Sequence, residues 1–251
     1  MQRHDLLRSL HELLQPRTYL EIGVSTGASM SRSRARSIGV DPAFHVKREL
    51  LCDLHLVRAT SDEFFAREHP LAHFDEPLID LAFIDGMHLA EYALRDFINT
   101  ERFTHAASVI VIDDMLPRNV PEADRDRGRP RSAPAWAGDV YKIVEPLRTL
   151  RPDLVCLEVD TAPTGTVVVL LPDASSTALL SAYDDLVEEF VIPDPQLVPD
   201  EILTRSRAIA PQALLAAPIW DDLRRLRDVE DSRARPEVAA LLDGAGLATV
   251  R

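Results

Sequence analysis

Cysteine is scarce in this 251-residue chain, which has only Cys52 and Cys156. Each sits in an apolar run, LLCDL and LVCLEV, where a reduced thiol behaves as a small hydrophobe. A disulfide framework is excluded, and a reducing, cytoplasmic setting is expected. Basic residues are in deficit too, 28 against 41 acidic, and the resulting net charge of -13 repels phosphate backbones and anionic membrane surfaces. A general nucleic-acid binder is therefore not expected. No apolar stretch approaches the roughly 20 residues of a membrane span, and the opening MQRHDLLRSL lacks the apolar core of an export signal. Internal repeats and glycine-rich low-complexity segments are missing as well. Hydrophobic residues make up 46% of the chain, enough to bury one sizeable core in a length too short for two full-sized domains.

The apolar pattern alternates between two periods. Leu6, Leu7, Leu10, Leu13 and Leu14 recur at helical spacing and predict an amphipathic helix over 3–14, ending before Pro16. Short apolar runs predict strands at 19–22, 37–41, 54–57, 79–84 and 108–112. Between them lie a short polar helix after Gly27, a helix near 61–69 and one at 89–103 with Leu89, Ala93 and Phe97 on one face. Strands apolar on both faces and separated by helices imply a doubly wound, mostly parallel α/β sheet covered on both sides. After a helix at 138–150, the runs 154–159 and 166–171 are joined by a link too short for a crossover helix, so the sheet should finish in an antiparallel hairpin. Seven strands are expected in a domain over 1–173, followed by a helical extension over 174–251 whose roles, packing, homodimerisation or a lid, stay open. Residues 115–137, rich in proline and arginine (Arg118, Arg125, Arg127, Arg129, Arg131) and without an apolar stripe, are expected to form a mobile loop.

In open α/β sheets ligands bind beyond the carboxyl ends of the strands, and these strands end in acids: Glu21, Asp41, Asp85 and the pair Asp113-Asp114. A lone Asp is usually a cap or turn residue; four strands ending this way suggest a site. Glu21-x-Gly23-x-Ser25-x-Gly27 lets backbone approach a ligand closely, and it lacks the G-x-G-x-x-G spacing that cradles a pyrophosphate. Asp41, at the next strand end, suits the two hydroxyls of a ribose. Ser61 and Asp62 either meet the adenine edge or cap the following helix.

The segments YLEIGVSTGAS, GVDP, IDLAFIDGMH and VIVIDD, in this order and spacing, resemble class I S-adenosylmethionine-dependent methyltransferases, in particular the bacterial group that includes macrolide-sugar (macrocin-type) O-methyltransferases. The likeness covers residues 19 to about 171. It implies S-adenosylmethionine bound by Glu21, Gly23, Ser25, Gly27, Asp41, Ser61, Asp62 and Asp85. In the magnesium-dependent members the metal-holding positions match Asp85, Asp113 and Asp114. Three neighbouring carboxylates need a cation or a proton, and oxygen ligands suit Mg²⁺ or a similar hard ion better than zinc. His88 stands where catechol-type relatives carry a basic lysine, and histidine can remove a hydroxyl proton at neutral pH; with Asp85 it is the expected catalytic pair. Gly138-Asp139-Val140-Tyr141-Lys142 also matches a stretch of that group. Asp139 and Lys142 either contact the acceptor or hold structure. The implied reaction is metal-assisted O-methylation of a small-molecule hydroxyl, on a sugar or natural product. A nicotinamide-dependent oxidoreductase on a similar sheet and a non-catalytic nucleoside-binding protein are the rival readings.

Overall fold

The structure is a computed structural model that describes residues 1–127 and 135–247. Its strands are β1 (Thr18–Ile22), β2 (Arg36–Val40), β3 (Leu54–Val57), β4 (Ile79–Ile84), β5 (Thr104–Asp113), β6 (Val155–Val159) and β7 (Thr166–Leu170). They form one sheet in the order β3-β2-β1-β4-β5-β7-β6. The first five strands pair in parallel, and β7 lies antiparallel between β5 and β6. Strands β4 and β5 are buried along their whole lengths, as central parallel strands covered on both faces must be. The hairpin link cannot hold a crossover helix, so β7 returns antiparallel and enters the sheet beside β5.

The helices are α1 (Arg3–Leu14), α2 (Ser61–Phe65), α3 (Ala90–Glu101), α4 (Val144–Thr149), α5 (Ala178–Ser181), α6 (Tyr183–Phe190), α7 (Asp200–Leu203), α8 (Pro211–Leu215), α9 (Trp220–Leu226) and α10 (Asp231–Gly244). Several are shorter than the sequence pattern predicts. The helix expected over 138–150 begins as a 3-10 turn, Val140–Ile143, and becomes α4 only at Val144. The polar helix expected after Gly27 is a single 3-10 turn, Met30–Arg32. Serines flank that turn, and serine side chains compete with the helix for backbone hydrogen bonds.

That shortfall shapes the core. On one face α2, α3, α4 and α6 pack over Leu20, Ile84, Ile110 and Ile112. The other face carries Tyr19, Phe83, Val109, Val111 and Val168, and the β1–β2 crossover supplies no full helix to cover it. Instead α1 and the C-terminal helices cover it, with Trp220, Leu223 and Leu226 of α9 and Val238 and Leu242 of α10 fully or nearly buried against the strands. The region expected as an extension thus shares the core of the sheet. Among the described residues no helix is long and apolar enough to cross a membrane.

Leu223 is 1% exposed, and removing its side chain leaves a cavity between α9 and the sheet. Leu223→Ala should cost about 2–4 kcal/mol in urea denaturation, with far-UV dichroism and Trp fluorescence showing one shared transition. Separate transitions, with the sheet unaffected, would show that the C-terminal helices fold as an independent appendage.

Candidate active site

The carboxyl ends of β1, β2, β4 and β5 converge at one edge of the sheet. Gly23 follows β1 at φ 93°, and a Cβ there would lie 1.8 Å from the carbonyl oxygen of Asp85. Only glycine allows β1 and β4 to close up at this point. The chain then turns through Ser25 at φ 49° and Gly27 at φ 76°. Asp41 reaches across from β2 and pins the turn, accepting the Ser25 N–H at 2.7 Å and the Ala43 N–H at 2.6 Å. Its carboxylate is partly exposed and has lone pairs beyond those two bonds.

Glu21 differs from the expectation that it meets the cofactor. The alternation of β1 turns its side chain into the core beneath the loop, at 0% exposure. Oε2 accepts the Tyr19 hydroxyl at 2.7 Å and Oε1 the Ser29 hydroxyl at 2.5 Å, so it clasps the turn to the strand. Burial pushes its carboxyl pKa up to about 8, against the lowering effect of the Ser29 and Tyr19 hydroxyls. Ser61 and Asp62 are also engaged by the protein. The cap of α2 is Thr60, in a capping box with Glu63, while Asp62 forms a two-pronged pair with Arg95 at 2.6 and 2.5 Å. Ser61 hydrogen-bonds the buried carboxyl of Asp96, which burial pushes up to about 7.

The reactive groups gather where β4 and β5 end. His88 lies between two carboxylates: Nε2 is 3.3 Å from Asp85 Oδ1, and Nδ1 is 3.2 Å from Asp114 Oδ2. Its Nδ1 donates to the carbonyl oxygen of Trp136 at 2.9 Å, and the indole stacks on the imidazole with centroids 4.9 Å apart. Burial opposes a charge on His88, but Asp85 and Asp114 outweigh it and raise its pKa above 6.5. Asp114 sits at φ 62°, which turns its side chain away from that of Asp113 and toward His88, and its Oδ1 accepts the Thr164 hydroxyl. Asp113 faces α1, where Arg3 Nε is 2.9 Å from its Oδ2. The same guanidinium lies 3.7 Å from Asp114.

The three residues with ligand atoms mutually within 4.8 Å are therefore Asp85, His88 and Asp114, not the expected Asp85, Asp113 and Asp114. An imidazole has replaced a carboxylate, which suits magnesium poorly. Asp85 Oδ1 and both His88 nitrogens already face protein partners, as do both Asp114 oxygens. As arranged, with an imidazole among its ligands and the Asp114 oxygens turned to Arg3, Thr164 and His88, the cluster does not fit magnesium.

Asp139 and Lys142 hold structure. Asp139, 0% exposed, accepts the N–H of Ala90 at 2.9 Å, capping α3 across space because Leu89 has no capping side chain. Its other oxygen accepts from Arg125 at 2.6 Å and Lys142 at 2.9 Å. Lys142 also donates to the Phe190 carbonyl and to Gln196, both at 2.6 Å, so its three protons are committed. Neighbouring Gly138, at φ 64°, abuts His88: a Cβ there would come 1.7 Å from the His88 carbonyl oxygen.

The segment expected to be a loose loop is tethered in its described parts, 115–127 and 135–137. Met115 and Leu116 are fully buried, and buried Glu122 accepts from Arg118. Arg125 forms a double bond pair with Glu91 besides reaching Asp139. Arg129 and Arg131 lie outside the described residues.

The sequence matches no protein-family model and no curated protein. Among solved structures, the chain is similar to cofactor-bound Rv0187 from MTB, at 16% identity over 69% of this chain and 82% of that one, TM-score 0.51. It is also similar to the O-methyltransferase TomG from Streptomyces achromogenes in complex with SAM, at 17% identity over 67% and 79%, TM-score 0.48. An O-methyltransferase from Bacillus cereus in complex with SAH is similar at 13% identity over 67% and 80%, TM-score 0.47. The chain shares a Rossmann-like fold with Rv0187.

Arg3, Trp136 and Thr164 were not singled out from the sequence, and Gly138 entered only as part of the stretch Gly138–Lys142, yet all four bear on the cluster. Only Gly138 carried a signal, as one of nine glycines standing beside a buried acid.

Glu21 offers a check on the clasp. A carboxyl whose folded pKa is raised from the ordinary 4.5 to about 8 favours the fold below the lower value. That contribution disappears as pH rises through the higher one, because the unfolded chain gives up its proton first. The melting temperature of Glu21→Gln should therefore gain on that of the wild type between about pH 5 and 8.5. Melting curves that keep a constant gap across this range would place the Glu21 pKa at its ordinary value.

Proposed function

We propose that the protein is an S-adenosylmethionine-dependent methyltransferase that acts on a hydroxyl oxygen of a small molecule. The observation that carries this reading is the juxtaposition at the carboxyl ends of the parallel strands. The turn from Gly23 to Gly27, pinned by Asp41, adjoins through Gly23 and Asp85 a half-buried imidazole set between two carboxylates. The first half suits a nucleoside, and Asp41 retains lone pairs for ribose hydroxyls. The second suits removal of a proton. The fold likeness to Rv0187, solved with its cofactor bound, supports a cofactor-binding protein. The short motifs around Asp85 and Asp114 support a hydroxyl acceptor, on a sugar or natural product, by their resemblance to the macrocin-type group.

The sulfonium methyl carbon is already a strong electrophile, so the protein has to hold the acceptor oxygen in line and take its proton. Bound S-adenosylmethionine would supply the methyl group to that oxygen and leave as S-adenosylhomocysteine, the electron pair of the carbon–sulfur bond staying with sulfur, and His88 would take the hydroxyl proton. The bond from Nδ1 to Trp136 O places a proton on that nitrogen and leaves Nε2 to accept one. Asp85, beside Nε2, and Asp114, beside Nδ1, then stabilise the imidazolium formed. A pKa above 6.5 brings this base toward the operating pH, where proton transfer is most effective.

S-Adenosylhomocysteine should bind in calorimetry and NADH should not, and Asp41→Ala should weaken binding by about 1.5–3 kcal/mol, the scale of hydrogen bonds to a charged group. Tight NADH binding without heat from S-adenosylhomocysteine would favour the oxidoreductase reading instead. Once an acceptor is found, the rate should climb with pH as His88 loses its proton, through a value above 6.5, and then level off. His88→Ala should lower the plateau roughly 10²–10⁴-fold and abolish the climb. A variant that keeps the wild-type profile would remove His88 from the chemistry.

A further inference from the structure

The three carboxylates that the methyltransferase resemblance assigns to a metal are also the three that act on one guanidinium. Arg3, on the first turn of α1, lies with Nε 2.9 Å from Asp113 Oδ2 and Nη1 3.7 Å from Asp114 Oδ1, and Asp85 adds to the attraction on it. Asp113 is 1% exposed at its side chain and Arg3 27%, so this is a largely desolvated pair. Such an acid cannot stay ionised without a counter-charge. The position of Arg3 follows from the fold. The bridge between Gln2 and Ala162, reinforced by the Arg3 N–H to Ala162 O bond, fastens the start of α1 beside the turn that leads into β7. That turn also presents Thr164 to Asp114. Arg3 is thus delivered to the acids by backbone pairing and is not a free arm.

We infer that Arg3 is a built-in cation that takes the place of a divalent metal at this site. Arg3, joined by His88 when that imidazole is protonated, opposes Asp85, Asp113 and Asp114 and offsets much of their charge without an ion from solution. A fixed guanidinium is always protonated and needs no loading. It can neutralise the carboxylates while offering no open coordination position, so deprotonation of the acceptor falls to His88. Arg3 acts through the carboxylates and is a positioning residue. The inference deepens the proposed methyl transfer and rests on that reading for its catalytic meaning, whereas its test reads metal binding and stability without turnover.

The protein should be titrated with Mn²⁺, followed by the electron paramagnetic resonance of the free ion, as wild type, Arg3→Gln, Arg3→Lys and Arg3→Gln/Asp113→Asn. The wild type should bind no Mn²⁺ at millimolar concentration. Arg3→Gln should melt roughly 5–10 °C lower, and either Mn²⁺ or the added Asp113→Asn change should restore much of that loss. Arg3→Lys, which keeps the charge, should melt nearer the wild type and still bind no ion. Stoichiometric Mn²⁺ binding by the wild type that disappears in Asp114→Asn would overturn the inference, because the metal would then coexist with Arg3. So would an Arg3→Gln protein as stable as the wild type and indifferent to both Mn²⁺ and Asp113→Asn. Since S-adenosylhomocysteine binding is scored separately, a failed methyltransferase reading would show itself without altering these outcomes.

Discussion

A fully buried carboxylate must be surrounded by donors, and much of this structure is arranged around supplying them to Asp139. Its three partners come from separate stretches of chain: the start of α3 at Ala90, the segment after β5 at Arg125, and its own following turn at Lys142, which extends the network to Phe190 and Gln196. Removing the acid would leave Lys142 without its carboxylate partner in a partly buried place, while Arg125 keeps Glu91, a loss of several kcal/mol. The site depends on this joint. Gly138, next to Asp139, touches the His88 carbonyl, and Trp136, two residues before Gly138, both stacks on the imidazole and accepts a hydrogen bond from its Nδ1 through the backbone carbonyl. The position of His88 is therefore set in part from outside the strand ends that carry the acids.

At those strand ends the controlling quantity is charge. Three carboxylates repel one another by several kcal/mol when crowded into a medium of low effective dielectric. Asp113 and Asp114 are accordingly both raised above the usual carboxylate range, burial being the main cause for each. Arg3 and His88 relieve this from opposite sides, one reaching in from α1 and the other standing between Asp85 and Asp114. The division of labour follows from chemistry: a guanidinium holds its proton throughout, while an imidazole can exchange one near neutral pH.

The strands were readable to within about a residue except for β5, which starts at Thr104 and not at Ser108, because parallel strands buried on both faces leave unbroken runs such as IDLAFI and the polar residues that interrupt them mark the ends. Antiparallel return over the short link at 160–165 was readable for the same steric reason. Direction of side chains at the strand ends was not. Alternation separates Asp113 from Asp114, but whether either faces the site depends on the φ of 62° at Asp114, and nothing local requires it in an aspartate. Arg3 occupies a polar position of an amphipathic helix, indistinguishable in sequence from the solvated arginine at position 8. Lys142 and Asp139 have partners scattered over a hundred residues, so their structural roles emerge only from tertiary contact. Arginines such as Arg118 and Arg125 read as solvated for a similar reason, since their acids, Glu122 and Glu91, lack any marker of burial.

Beyond the site, the outer strand of the hairpin is closed off in part. Ile209 lies parallel to Val159, donating its N–H to Glu158 O and accepting the Asp160 N–H, both at 2.9 Å. The last residues of β6 therefore have their outward hydrogen-bonding groups consumed by the chain itself. A second molecule could not continue the sheet from this end of β6 without first peeling away the stretch around Ile209, which Arg205 secures to Asp160, Leu116 and Pro163. The chain thereby carries its own guard against edge-to-edge addition, and an assembly formed here would have to meet through side chains.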